Sequence, residues 1–87
     1  MDDETLDRVL RIIASIPSGS VLSYGEVADR AGLRSARIVG RILAENDVDN
    51  WHRVLRSDGS PAPHLKEEQT ALLRAEGVRF KNGRVAG

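Results

Sequence analysis

SYGEVADRAGLRSARIVGRILAE, residues 23–45, is the stretch that decides the fold, because it contains two helix starts separated by a glycine. Ser23 is followed three residues later by Glu26, which is the spacing of a capping box. Ser35 provides a second N-cap after Gly32. Two short helices joined by a glycine-containing turn indicate a helix-turn-helix, a motif whose second helix usually enters the DNA groove.

Further helices are predicted on both sides of this motif. Apolar residues recur three and four positions apart between Asp3 and Ile16, which is typical of an amphipathic helix. A last helix is predicted from Leu65 to Ala75, with Gly77 as its terminator. We expect this last helix to pack through Leu65, Ala71, Leu72 and Ala75.

The length and the turn residues define the fold class. Asn82-Gly83 favours a tight turn and therefore a short terminal hairpin. The 87 residues suffice for one small domain, residues 1–87, with a single binding surface. The sequence thus predicts a mainly α, winged-helix-like helix-turn-helix domain.

The composition excludes several classes of function. The chain has no cysteine, which removes disulfides, thiolate metal sites and cysteine nucleophiles, and its other residues form no metal-ligand cluster. No apolar run approaches the ~20 residues that span a bilayer, and the acidic start, residues 1–4, is unlike a signal peptide. We expect a soluble cytoplasmic protein, associated with the nucleoid if it is bacterial, without metal or cofactor.

The charge distribution says more than the net charge, which is zero. Residues 30–41 contain four arginines and no acid. Arg34, Arg37 and Arg41 follow at spacings of three and four, which predicts one basic stripe on the second helix. Such a stripe is either a solvated helix face or a surface for phosphates, and the helix-turn-helix favours the second interpretation.

The only tryptophan lies beside two cationic or proton-exchanging residues, in Asn50-Trp51-His52-Arg53-Val54. This pentapeptide resembles the Pro-Cys-His-Arg-Val site of the O6-alkylguanine-DNA alkyltransferases, with Trp51 in place of cysteine, as in the non-catalytic alkyltransferase-like proteins. The resemblance covers nearly the whole chain. Its other ordered motifs are Gly19-Ser20-Val21-Leu22-Ser23-Tyr24, Ala36-Arg37-Ile38-Val39-Gly40, Asp58-Gly59 and Glu76-Gly77.

The resemblance implies a role for each motif. Arg37 would be a finger inserted into the duplex in place of an extruded nucleotide, and Tyr24 would press on the neighbouring phosphate. Trp51 would form a wall of the lesion pocket. The implied DNA-binding residues are Tyr24, Arg34, Ser35, Arg37, Gly40 and Arg41. The implied lesion pocket consists of Tyr24, Trp51, His52, Arg53, His64 and Glu76.

The function implied is a DNA-damage sensor rather than an enzyme. In the transferases a cysteine thiolate, activated through histidine and glutamate, accepts the alkyl group. Here His52 and Glu76 remain without a thiol to activate, so we predict no alkyl transfer. The partners would be duplex DNA with O6-alkylguanine and the damage-recognition proteins of nucleotide excision repair. The chain would act as a monomer.

Two other functions are compatible with parts of the sequence. A small helix-turn-helix transcription regulator would bind sequence-specifically as a dimer, without preference for a lesion, but no dimerisation helix is evident. A hydrolase acting through His52 and Glu76 lacks an organised nucleophile. Three features depart from the transferase pattern. Asn50 replaces the proline, the connector before Trp51 is short and acidic, and the loop Pro61-Ala62-Pro63 lies where relatives often have small or hydroxyl residues.

Overall fold

Helix α1 covers Asp3–Ala14 in this computed structural model, which describes residues 2–86. The Asp2 carboxylate caps α1 by accepting a hydrogen bond from the Thr5 amide at 2.7 Å. The helix ends two residues before the predicted Ile16, where the chain turns towards Pro17. The α1 prediction is therefore confirmed apart from its last turn.

The helix-turn-helix follows a short strand, β1, Leu22–Ser23. Helix α2 covers Tyr24–Arg30 and helix α3 covers Ala36–Glu45. The capping box is present, because the Glu26 amide donates to Ser23 Oγ at 3.0 Å and the Ser23 amide donates to Glu26 Oε1 at 2.9 Å. Both helix starts and the turn between them are confirmed.

A parallel strand pair, which the sequence did not predict, joins the helix-turn-helix to the tryptophan segment. Trp51–Arg53 form a 3₁₀ turn that leads directly into strand β2, Val54–Leu55. Strand β2 pairs with β1 in parallel, with Leu22 opposite Val54. This pairing places the start of α2 beside the end of the tryptophan turn.

The C-terminal part contains a 3₁₀ turn at Pro63–Leu65, helix α4 at Lys66–Ala75, and strands β3 and β4 at Phe80–Lys81 and Arg84–Val85. Strands β3 and β4 form the predicted antiparallel hairpin. The predicted packing face of α4 is wrong. Leu72 is 39% exposed and both Ala71 and Ala75 are exposed, whereas Leu73 and Gln69 are buried.

The core joins α1, the helix-turn-helix and β2, so the expected winged-helix-like, mainly α fold is confirmed. Burial of these aliphatic side chains is the main force that holds the short elements together. No helix within residues 2–86 has the length and apolar character needed to cross a membrane. Six core residues have a relative exposure of 0%: Val9, Ile13, Val27, Val39, Val54 and Leu73.

Candidate nucleic-acid interface

Helix α3 presents one apolar face to the core and one polar face outward. Val39 and Ile42 are buried, whereas Arg37 and Arg41 are exposed. The Ser35 hydroxyl caps the helix by accepting a hydrogen bond from the Arg37 amide at 3.1 Å. Because the helix begins after this cap, Arg34 lies in the preceding turn, and the prediction that it belongs to a stripe on α3 is wrong.

The two exposed arginines of α3 differ in their ion pairs. Arg41 Nε lies 3.5 Å from Glu45 Oε1, and both side chains are mostly exposed. Such a surface pair is worth only about 0–1 kcal/mol and can open when a phosphate approaches. Arg37 forms no ion pair with any residue of the described range 2–86. Its guanidinium is available to an external ligand.

A pocket of about 270 Å³ opens at the C-terminal half of α3. Gly40 and Ala44 line it, and they lie on the same helix face as Arg37 because positions three and four apart share a face. Trp51 and His64 line it from the other segments. The full lining is Tyr24, Gly40, Leu43, Ala44, Asn46, Asp47, Val48, Trp51, His64 and Leu65.

Two aromatic residues give the pocket its chemistry. Burial raises the pKa of the half-buried Tyr24 hydroxyl, which therefore remains neutral at physiological pH and can donate a hydrogen bond. The Trp51 indole contacts the His52 ring edge-on, with ring centroids 6.1 Å apart and an interplanar angle of 80°. Trp51 also lines the pocket, where an aromatic face can stack on a flat ligand.

Gly40 is not required by packing within the protein. A Cβ atom at this position would meet no other atom within 4 Å. The backbone of α3 is therefore open at Gly40, beside the pocket and one turn from Arg37. The absence of a side chain there allows an external molecule to approach the helix backbone closely.

Three further predicted site residues form what we call the Glu76 cluster: His52, Arg53 and Glu76. Glu76 Oε2 lies 2.7 Å from His52 Nε2 and 2.7 Å from Arg53 Nη2. Arg53 Nη1 also donates to the Ile16 carbonyl at 2.7 Å, and the Gly19 amide donates to Glu76 Oε1 at 3.1 Å. Each of the three side chains is only 14% exposed, so the cluster links three segments, the loop after α1, the Trp51–Arg53 turn and the end of α4, through largely desolvated hydrogen bonds.

The electrostatics of the Glu76 cluster favour the ionised pair. Hydrogen bonds from Arg53 first, then from His52 and the Gly19 amide, lower the pKa of Glu76 to about 2. The hydrogen bonds with Glu76 raise the pKa of Arg53. Both groups are therefore charged at neutral pH, and the cluster stabilises the fold rather than presenting a free base.

The structure divides the predicted lesion pocket into two sets. Tyr24, Trp51 and His64 line the pocket, whereas the three residues of the Glu76 cluster do not line it. The Trp51–His52 contact connects the two sets. Within residues 2–86 no group of three or more His, Cys, Asp or Glu residues is placed to hold a metal ion.

Gln69 on α4 is a site residue that sequence reasoning missed. Its side chain is 1% exposed, and its Nε2 donates to the carbonyls of His52 and Val54 at 3.0 and 2.7 Å. It thereby holds the backbone that follows Trp51. No local pattern marks it, because its partners come from a distant part of the chain. Other missed lining residues lie at the end of α3 and in the connector after it: Leu43, Ala44, Asn46, Asp47 and Val48.

Asn50 explains the departure from the transferase motif. Its φ is 66°, in the left-handed region, and its Nδ2 donates to the Ala14 carbonyl at 3.2 Å. Proline cannot adopt this conformation, because its ring fixes φ near −65°. The chain therefore enters the tryptophan turn by a backbone path that proline cannot follow and that glycine and asparagine adopt readily.

These features define a helix-turn-helix DNA-binding domain with a pocket at the end of its second helix. The match to the family model described as "6-O-methylguanine DNA methyltransferase, DNA binding domain" covers residues 4–78. The chain belongs to this family. Its 87 residues include no cysteine, the residue that accepts the alkyl group in a transferase.

Similar proteins place the chain among the alkyltransferase-like members. It is 43% identical over 84 residues to the DNA base-flipping protein of Escherichia coli K12, covering 88% of this chain and 64% of that protein. It is 33% identical over 86 residues to alkyltransferase-like protein 1 of Schizosaccharomyces pombe, covering 90% and 80%. The crystal structure of S. pombe Atl1 with damaged DNA containing O6-carboxymethylguanine superposes with a TM-score of 0.83 and 30% identity, covering 93% and 82%. The chain thus spans less than two thirds of the length of its E. coli relative.

Proposed function

We propose that the protein is a sensor of O6-alkylguanine in duplex DNA. Helix α3 enters the groove, the modified guanine leaves the stack, and the base occupies the pocket with Trp51 as one wall. One observation carries this proposal: Arg37 shares one face of α3 with the pocket-lining Gly40 and Ala44, and outside the helix backbone nothing lies within 4 Å of a Cβ built on Gly40. A finger and a pocket on one face are what base extrusion requires.

The contacts in the structure support separate roles for three residues. Arg37 has no ion pair within the described residues, so its planar guanidinium can fill the gap left by the extruded base. Tyr24 begins α2 at the pocket, where its neutral hydroxyl can contact a phosphate without repulsion. The pocket volume of about 270 Å³ lies just below the range of about 300–1,000 Å³ for pockets that bind drug-sized ligands, which suits a single base.

The names of the relatives agree with this proposal. The E. coli relative is named a DNA base-flipping protein, and the S. pombe relative was crystallised with DNA that contains an O6-alkylated guanine. A protein without an acceptor thiol leaves the lesion in place. The bound complex would therefore mark the site for the damage-recognition proteins of nucleotide excision repair and shield it from true transferases.

The proposal includes a monomer that works in the cytoplasm, on the nucleoid in a bacterium. The finger and the whole pocket come from one chain, so a second copy is not needed to complete the site. Arg34, Ser35 and Arg41 would contact phosphates around the flipped nucleotide, and His64 would close over the alkyl group from the Pro63–Leu65 turn.

The test is a fluorescence-anisotropy titration of one short duplex with and without a single O6-methylguanine, at two salt concentrations, followed by mass spectrometry of the protein. We expect tighter binding to the modified duplex and no added methyl mass. Equal affinity for both duplexes would contradict the sensor function. A preference for one base sequence regardless of methylation would instead favour a transcription regulator.

A further inference from the structure

Asp47 is an acidic residue in the wall of a pocket that is otherwise apolar, aromatic or neutral. It belongs to the connector between α3 and Trp51 and lines the pocket together with Asn46. Its carboxylate forms no ion pair with any residue of the range 2–86. The other ionisable groups in the lining are the Tyr24 hydroxyl and the His64 imidazole. No lysine or arginine lines the pocket.

We propose that Asp47 makes this pocket select neutral or hydrogen-bond-donating O6 substituents over anionic substituents of the same shape. The inference rests on the proposed function, since it assigns the alkyl group to this pocket. A carboxylate on the lesion would share the pocket with the exposed Asp47 carboxylate, and like charges repel at such short distances. An amide of the same shape would instead donate its N–H groups to Asp47.

The repulsion is large enough to measure. Two carboxylates about 6 Å apart, in a medium between bulk water and a protein surface, change an affinity by about tenfold. The matched lesions are O6-carboxymethylguanine and O6-carbamoylmethylguanine, which differ in one terminal atom and in charge. The ratio of their dissociation constants cancels effects that are common to all DNA, including the repulsion between Asp47 and the phosphates.

The experiment compares three duplexes of one sequence, with guanine or either lesion at the same position, by competition anisotropy. The wild type should bind the carbamoylmethyl duplex about tenfold more tightly than the carboxymethyl duplex. Asp47→Asn keeps the shape and removes the charge, so the ratio should fall to within about twofold. Asp49→Asn is the matched control, because Asp49 is an exposed aspartate of the same connector, like Asp47, but does not line the pocket. Its ratio should stay near ten.

The remaining outcomes separate this specificity from the sensor function itself. If both lesions bind more tightly than guanine but equally well, the specificity is wrong and the sensor function stands. If neither lesion is preferred over guanine, the sensor function fails and the specificity with it. An equal collapse of the ratio in Asp47→Asn and Asp49→Asn would show a general charge effect and overturn the role of Asp47. If the ratio falls in His64→Gln and not in Asp47→Asn, the specificity belongs to His64 and the role of Asp47 is wrong.

Discussion

Arg53 and Arg37 carry the same guanidinium group in opposite surroundings. Arg53 is 14% exposed and donates hydrogen bonds to Glu76 and to the Ile16 carbonyl. Arg37 is exposed and has no ion pair within residues 2–86. Removal of one partner from a buried pair strongly destabilises the fold, because the other charge is left buried without a partner. Removal of an exposed and unpaired arginine has almost no effect on stability. The comparison therefore separates a region that maintains the fold from a region that remains available for a ligand.

The largest expected effect is the loss of stability in Glu76→Gln. This change removes the carboxylate that pairs with the buried Arg53 charge. Loss of one partner from a buried ion pair typically lowers the free energy of unfolding by about 3–5 kcal/mol. Urea denaturation at pH 7, followed by Trp51 fluorescence, measures it. The matched control is Glu45→Gln, which removes a carboxylate from the exposed pair with Arg41 and should cost less than about 1 kcal/mol. If both variants lose less than about 1 kcal/mol of unfolding free energy, the Glu76 cluster does not stabilise the fold more than the exposed Arg41–Glu45 pair.

The pH dependence of stability should follow the Glu76 cluster. The pKa of Glu76 is lowered from 4.5 to about 2 in the folded protein. Its contribution is therefore complete above pH 4.5 and is lost as the pH falls through about 2, with a total of up to about 3 kcal/mol. Urea midpoints between pH 6 and pH 2 measure it. Glu76→Gln should give a shallower profile, and a profile parallel to that of the wild type would assign the acid sensitivity to other carboxylates.

Arg37→Ala should show the reverse pattern, with lost binding and retained stability. We expect a loss of roughly tenfold or more in affinity for the O6-methylguanine duplex, because nothing then pairs with the orphaned base. The free energy of unfolding should change by less than about 0.5 kcal/mol. Arg34→Ala and Arg41→Ala should weaken binding to modified and plain DNA alike and reduce the salt slope by about one each. Equal effects of all three substitutions on both duplexes would contradict the finger role.

The fold could be predicted where the signals are local. The capping box of Ser23 and Glu26, the Ser35 cap and the Asn82-Gly83 turn act within a few residues, and each element appears where the sequence indicates. The pairing of Leu22 with Val54 depends on residues far apart in the chain, so no local pattern shows it. It is nevertheless the contact that brings α2 to the tryptophan turn.

The site could be predicted only in part for the same physical reason. The contact between Glu76 and His52 was implied by the family resemblance and is present, whereas no pattern in the sequence named Glu76 as the partner of Arg53. The predicted packing face of α4 was wrong because the buried Gln69 side chain donates hydrogen bonds to two backbone carbonyls, those of His52 and Val54. These carbonyls are brought to α4 only by the tertiary fold. Asp47 was read as part of an acidic connector. Its place in the pocket wall follows from the path of that connector and not from its composition.

The smallest expected effect, at Gly40, tests both regions in one residue. Alanine is preferred over glycine in a helix interior by about 0.8–1 kcal/mol, and a Cβ at this position would meet no protein atom within 4 Å. Gly40→Ala should therefore raise the free energy of unfolding by nearly that amount, as measured in urea. The same methyl group would stand between the α3 backbone and DNA, so anisotropy should show weaker binding to both duplexes. If stability rises while binding is unchanged, DNA does not approach this part of α3, and the continuous path from Arg37 to the pocket loses its middle step.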